Sequence, residues 1–325
     1  MTNPAAGKGA ANPRVVVIGG GTGLSVMLRG LKKKPVDITA IVTVGDDGGS
    51  SGRLRDELQM PPPGDIRSVI SALAESEPLL SEMLQYRFSN GTGLAGHSLG
   101  NLILAALRDI TGDFVTGVRE LSRVLRVRGS VLPASHDSIV LTAKMADGAV
   151  IEGESKITKY GGRIERISLS PPDVEPLPEA IEAIREADAI VLGPGSLYTS
   201  VIPNLLVPGI ADAIRASNAA KVYICNVMTQ PGETDGYSAC DHVNAIARHV
   251  GDRLFDTVIV NSSDIPRRVR SLYAEKGADV VRLDLETLSA QGYRTIADEL
   301  ILFQGVLRHD ANKLSHHIYR LATGQ

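Results

Sequence analysis

Two glycine-rich loops near the start of the chain, separated by a single helix and strand, carry its clearest chemistry. The first is Gly19-Gly20-Gly21-Thr22-Gly23 and the second is Gly45-Asp46-Asp47-Gly48-Gly49-Ser50-Ser51-Gly52-Arg53. Backbone without side chains lets a ligand approach closely, and N–H groups at a helix start suit phosphate. Each loop follows an apolar, β-branched run, Val15–Ile18 and Ile38–Val44. Such runs read as buried parallel strands, whose carboxyl ends hold the ligands of open α/β sheets. The candidate contacts are therefore Gly20, Gly21, Thr22 and Gly23 from the first loop, and Asp46, Asp47, Gly49, Ser50, Ser51 and Arg53 from the second. A phosphorylated, nucleotide-containing ligand is expected.

The familiar phosphate signatures do not fit. The dinucleotide fingerprint needs a third glycine where Leu24 stands, and no lysine follows either loop at P-loop spacing. Arg53 and Arg55 offer the bidentate geometry that suits a diphosphate, against a plain surface pairing with Asp56 or Glu57. Gly96-His97-Ser98-Leu99-Gly100 matches an esterase elbow by letter, but Ser89–Ala95 before it reads as loop and not as strand. His97, Ser98 and Asn101 read better as a helix start turned toward the ligand, with Asn101 adding an amide contact.

A third loop, Gly193-Pro194-Gly195-Ser196, follows Val191-Leu192 and adds Gly193, Gly195 and Ser196 as candidates. Asn226–Tyr237 is long for a βα connection and rich in hydrogen-bonding side chains, Thr229 among them. Near the C-terminus, Tyr273 and Arg308 are chemically suited to stacking on a base and holding a diphosphate, although their spacing alone does not single them out.

These groups need a frame. Strands at 14–18 and 38–44 alternate with helices at 23–33 and 65–75, the latter capped by Asp65 after Pro61-Pro62-Pro63. Amphipathic helical runs follow at Leu79–Phe88, Leu99–Arg108 and Val115–Val127. Arg119, Arg123 and Arg126 form a stripe that suits solvent or another subunit, so a homo-oligomer is allowed. Short alternating stretches within 129–170 predict an antiparallel β insertion. Helices at 178–187, 238–250, 266–275 and 311–322 and strands at 189–192, 221–225 and 257–260 then restore the alternation. The expected fold class is α/β: a Rossmann-like, doubly wound, mostly parallel sheet in a single domain over 14–325, with the insertion at 129–170. Residues 1–13 are small, polar and proline-containing, as in a disordered tail.

Composition excludes several classes. A net charge of −3, a pI near 6.2 and 4% aromatics without Trp give no footprint for nucleic acid. Two cysteines, Cys225 and Cys240, make neither a disulfide framework nor a zinc site and fit a reducing cytoplasm. No apolar stretch reaches the ~20 residues of a membrane span. Lys32-Lys33-Lys34 reads as cations complementing a helix C-terminus.

Taken in order, Ile18–Ser25, Asp46–Arg55, Pro62–Arg67, Gly96–Leu102, Gly193–Ser200 and Met228–Thr234 form a distinctive set. Over residues 14–322 the chain resembles the bacterial gluconeogenesis factor family (YvcK or GlmR type), relatives of 2-phospho-L-lactate transferase. The resemblance implies a Rossmann-like fold, a cytoplasmic location, and a need for the protein in growth and cell shape on gluconeogenic carbon. It implies binding of UDP-sugars, UDP-N-acetylglucosamine above all, at positions that include Tyr273 and Arg308. Glucosamine-6-phosphate synthase is the enzyme partner it suggests, in directing carbon to cell-wall precursors. No cofactor is required on that reading. The transferase relatives supply the alternative, an enzyme in which Asp46 and Asp47 hold Mg2+ on a diphosphate. The Gly193–Tyr198 loop departs from the transferase pattern, which weighs against phospholactyl transfer.

Overall fold

The structure, a computed structural model, describes residues 11–75, 77–251, 253–303 and 305–325. Most of the expected tail, residues 1–10, lies outside the described residues. Seven strands form one parallel sheet: β1 (Arg14–Gly19), β2 (Asp37–Val42), β3 (Ser130–Pro133), β7 (Ala189–Leu192), β8 (Ala220–Ile224), β9 (Thr257–Asn261) and β10 (Arg294–Asp298). Between β3 and β7 stand β4 (Val140–Met145), β5 (Val150–Glu152) and β6 (Ile164–Ser170), which pair antiparallel in the order β5-β4-β6. The hairpin β11 (Ile301–Phe303) and β12 (Leu307–His309) follows the last parallel strand.

The main order is β10-β9-β8-β7-β1-β2-β3, so the chain reverses direction across the sheet between β1 and β7. At such a switch point two neighbouring loops leave the carboxyl edge in opposite directions and open a crevice. Here they are the first and third glycine loops. Alternation along β1 explains the layers: Val15 and Val17 enter the core on one face, and Val16 and Ile18 enter the core on the other. Helix α1 (Gly21–Leu31) buries Leu24, Met27, Leu28 and Leu31, the i, i+3, i+4, i+7 stripe of a helix packed on a sheet.

The structure departs from the sequence reading in several places. The second loop turns into helix α2 (Gly49–Leu58) well before Arg53, because Gly52 accepts a contact no other residue allows. A Cβ there would lie 2.1 Å from the Asp47 carbonyl oxygen. Helix α3 (Gly64–Leu73) has no side-chain cap, so Asp65 is not its cap. Ser130–Pro133, expected in the insertion, pairs parallel with β2 as the edge of the main sheet. Helices α4 (Pro78–Gln85), α5 (Leu99–Thr111) and α6 (Phe114–Val124) match the amphipathic runs. Short elements went unforeseen: a π-helical turn at Leu197–Val201, helices at Ile202–Leu206, Ile210–Ala216 and Leu285–Ala290, and β10 to β12. The helices among these are shorter than the window of about 11–18 residues in which a helical period is read, and the strands are at most five residues long. Among the described residues no single helix is long and apolar enough to cross a membrane.

Candidate functional site

The first and third loops meet edge to edge. Gly23 sits against the Pro194 carbonyl, where a Cβ would come to 3.2 Å, and Asn226 Nδ2 donates to the Gly195 carbonyl at 2.8 Å. Asn204 Nδ2 donates to both Gly19 O (3.1 Å) and Ser200 O (2.7 Å), tying β1 to the turn after Gly193–Ser196. Beside this junction opens a cleft of about 400 Å3. Its walls include Gly23, Gly195, Ser196, Thr229, Tyr273 and Arg308, six of the residues read from the sequence as ligand contacts. Thr22 lines a neighbouring cavity of about 270 Å3 that shares Gly23, Leu307 and Arg308.

The β11–β12 hairpin forms one wall of the cleft and is held there by Tyr273. Its hydroxyl accepts the Leu307 N–H at 2.8 Å, which leaves the ring half-buried along the cleft. Thr229 has a scaffolding part as well: its N–H donates to Asp279 O and its hydroxyl accepts the Asp279 N–H.

Behind the first loop lies a cluster of carboxyls. Gly20 is extended, and a Cβ on it would lie 2.4 Å from Asp65 Oδ2. That carboxyl faces the Gly21 N–H, so Asp65 occupies the position a phosphate oxygen would take at this amide. Burial, and then Asp46 beside it, push Asp65 up to about 7. Glu154, the first residue of the short helix Glu154–Tyr160 after β5, is pushed up to about 9 by burial and by Asp46, Asp65, Glu233 and Asp47. Burial pushes Glu233 up to about 7 against hydrogen bonds that favour its charge. Glu233 Oε1 accepts from Gln230 Nε2 at 2.6 Å, whereas Oε2 is buried with no partner. Gln230 also lines the cleft, so the two regions share one wall.

Asp46 and Asp47 differ in what they do. Asp46 Oδ1 accepts the Gly48 N–H at 2.8 Å. Its Oδ2 would stand 2.8 Å from a Cβ on Gly64. Asp47 Oδ1 accepts the Ser155 N–H at 2.8 Å and so pins the Glu154 turn to the second loop. The oxygen-rich donor set suits a hard cation such as Mg2+, which takes one or two carboxylates together with water and phosphate. Among the described residues no three acidic, His or Cys side chains stand at ligating distance from a common point.

Ser50, Asn101 and Arg53 form a third group, turned away from the cleft. Ser50 Oγ accepts from Asn101 Nδ2 (3.1 Å) and from Ser98 N (3.4 Å), so its own proton points to His97 Nδ1 at 3.0 Å. His97 is therefore the Nε2–H tautomer, and burial holds its pKa below the usual value. Ser98 caps α5 through the Asn101 N–H, and no strand precedes it, so the elbow geometry is absent. Arg53 donates to the Ala95 carbonyl at 2.8 Å. In the structure Asn101 Nδ2 and Arg53 help hold the second loop against the 91–98 segment, while Asn101 Oδ1 is buried without a partner. Ser51 is buried beside Gly64, and Gly49 adopts a left-handed φ of +47° facing open space.

Residues 15–301 match the family model described as 2-phospho-L-lactate transferase CofD, and the chain is 57% identical to the gluconeogenesis factor of Bacillus subtilis. The chain belongs to the gluconeogenesis factor branch of the CofD family. The Bacillus subtilis alignment covers 93% of this chain and 96% of that protein. A gluconeogenesis factor of Halalkalibacterium halodurans is 60% identical over 94% of this chain and 95% of its own length. A crystal structure of a Bacillus halodurans protein of the UPF0052 family superposes with a TM-score of 0.93 at 58% identity, covering 95% of this chain and 99% of that one.

Glu154 and Glu233 were not singled out from the sequence, and Asp65 was read only as a helix cap. Glu154 carried no signal.

Proposed function

We propose that this chain is a nucleotide-sugar-binding regulator whose ligand, UDP-N-acetylglucosamine or another UDP-sugar, lies in the cleft between the first and third loops. One observation carries the reading: Tyr273 and Arg308, from separate elements, line the same cavity as the Gly23 and Gly195 backbone. An aromatic ring, a guanidinium and side-chain-free amides are the groups that a base and a diphosphate ask for. A volume of about 400 Å3 is in the range of small-molecule sites. The relatives named gluconeogenesis factor support a role in growth on gluconeogenic carbon. On this reading the bound form engages an enzyme of amino-sugar synthesis, glucosamine-6-phosphate synthase, and through it cell-wall precursor supply and cell shape.

Titration calorimetry with UDP-N-acetylglucosamine tests it. Micromolar binding that disappears in Tyr273→Ala and in Arg308→Ala supports the reading, and no binding of any UDP-sugar at millimolar concentration ends it.

The carboxyl cluster favours a second reading, a Mg2+-dependent transferase. On this reading Asp46 and Asp47 would hold the cation. Bound there, it would supply charge neutralisation on a diphosphate. Turnover with Mg2+, nucleotides and sugar phosphates should then vanish in Asp46→Asn.

A further inference from the structure

Three cations converge on a cavity that neither reading uses. It measures about 420 Å3 and lies between α1, the β11–β12 hairpin and the C-terminal helix Ala311–Ala322. Arg29 and Lys33 from α1 and its end face Arg308 from β12 across it, and no carboxylate lines it. Among the described residues none of the three has an ion-pair partner. Asp310, the nearest carboxylate in sequence, accepts the N–H groups of Asn312 and Lys313. His309 lines the cavity, but burial lowers it to about 4 and its Nε2 faces the Cys225 carbonyl, so it adds no charge.

Dipole complementarity at the end of α1 accounts for part of this arrangement. Arg29 in the last turn of α1 and Lys33 just past it suit that role, while Lys32 donates instead to Ala74 O at the end of α3, at 2.8 Å. Dipole complementarity does not account for an arginine brought from the hairpin to face those two cations. Like charges lining one cavity repel, and an anion that joins them relieves the repulsion. The wall is tightly built: a Cβ on Gly30 would lie 2.2 Å from Ala311 O, so α1 and the C-terminal helix meet backbone to backbone.

We propose that this cavity is a second ligand site, for a compact, multiply charged anion of the phosphate class, and that Arg308 couples it to the cleft. Arg308 lines this cavity, the cleft and the smaller cavity between them. One guanidinium shared by two anions serves neither fully, so each occupant weakens the other, and the effect is reciprocal.

Inorganic pyrophosphate titrated into the full chain at low salt is the test. Wild type should bind it, and Arg29→Gln/Lys33→Gln should bind it at least about tenfold more weakly, as expected for two lost charged contacts. Both positions are exposed. Melting curves check the fold, and Lys33→Gln alone serves if the double variant melts early. UDP-N-acetylglucosamine affinity in the double variant should be unchanged without pyrophosphate, and in wild type it should fall when pyrophosphate is added. Equal pyrophosphate binding by wild type and variant places the anion on the glycine loops and overturns the proposal, as does the absence of binding to wild type. Failure of the UDP-sugar to bind overturns the nucleotide-sugar reading, while the pyrophosphate comparison between wild type and variant still decides this one.

Discussion

Replacing Glu154 with Gln should stabilise the protein at alkaline pH and bring no such gain in acid. In the folded chain Glu154 is pushed up to about 9 from an ordinary value of 4.5, first by burial and then by Asp46, Asp65, Glu233 and Asp47. A carboxyl raised in this way keeps its proton when folded and loses it when unfolded. Its stability contribution is fully present below pH 4.5 and drains away as pH rises toward 9. One pKa unit corresponds to about 1.4 kcal/mol, so the ceiling at pH 8.5 is on the order of 5 kcal/mol. A Gln removes that cost and relieves the neighbouring carboxyls, but its amide must find partners in a crowded site. A net gain of about 1–3 kcal/mol is expected, or about 2–5 °C in Tm for a chain of this size. Scanning calorimetry of wild type and variant at pH 4.5, 6.5 and 8.5 reads it directly. The gap should open steadily with pH. Parallel Tm curves for the two proteins would falsify the idea that Glu154 shares charge with this cluster.

Further expectations follow from the same contacts. Mg2+ at millimolar concentration should raise the Tm of wild type more at pH 8.5 than at pH 5.5. An equal effect at both pH values would point to cation binding elsewhere. Ser50→Ala leaves His97, Asn101 and the Ser98 amide without their common partner in a buried site. Denaturant unfolding should show a loss of about 2–4 kcal/mol, and a loss below about 0.5 kcal/mol would contradict the hub role. Tyr273→Phe keeps the ring but removes the acceptor for Leu307 N–H, so UDP-sugar affinity should fall about three- to tenfold through hairpin loosening. Calorimetry showing wild-type affinity would mean the latch does not shape the cleft. Gly30→Ala should cost about 2 kcal/mol or more in thermal unfolding, because its Cβ has no space beside Ala311 O.

Much of this molecule is legible along the chain. The β-branched run Val15–Ile18, the glycine loop and the Leu24, Met27, Leu28, Leu31 stripe specify strand, turn and helix by local rules, since each pattern has its own period. The chain therefore determines by itself that β1 and β7 end in side-chain-free loops, which is why Gly23, Gly195 and Ser196 were readable as cleft residues. Sequence spacing carries no information about which distant groups share a volume. Asp65, Glu154 and Glu233 lie on α3, on the short helix after β5 and on the loop after β8, and only the folding of the insertion onto the second loop, through Asp47 and Ser155, packs them together. Asn101 and Arg53 have the right chemistry for a ligand, and only the tertiary structure shows that each also makes a contact within the protein, to Ser50 and to the Ala95 carbonyl. Arg29 and Lys33 look like an ordinary helix end until the hairpin lays Arg308 across from them. Local patterns set the elements and their loops. The shared wells of charge, and hence the chemistry on offer, arise from long-range packing, because desolvation and Coulomb interactions act through space and not along the chain.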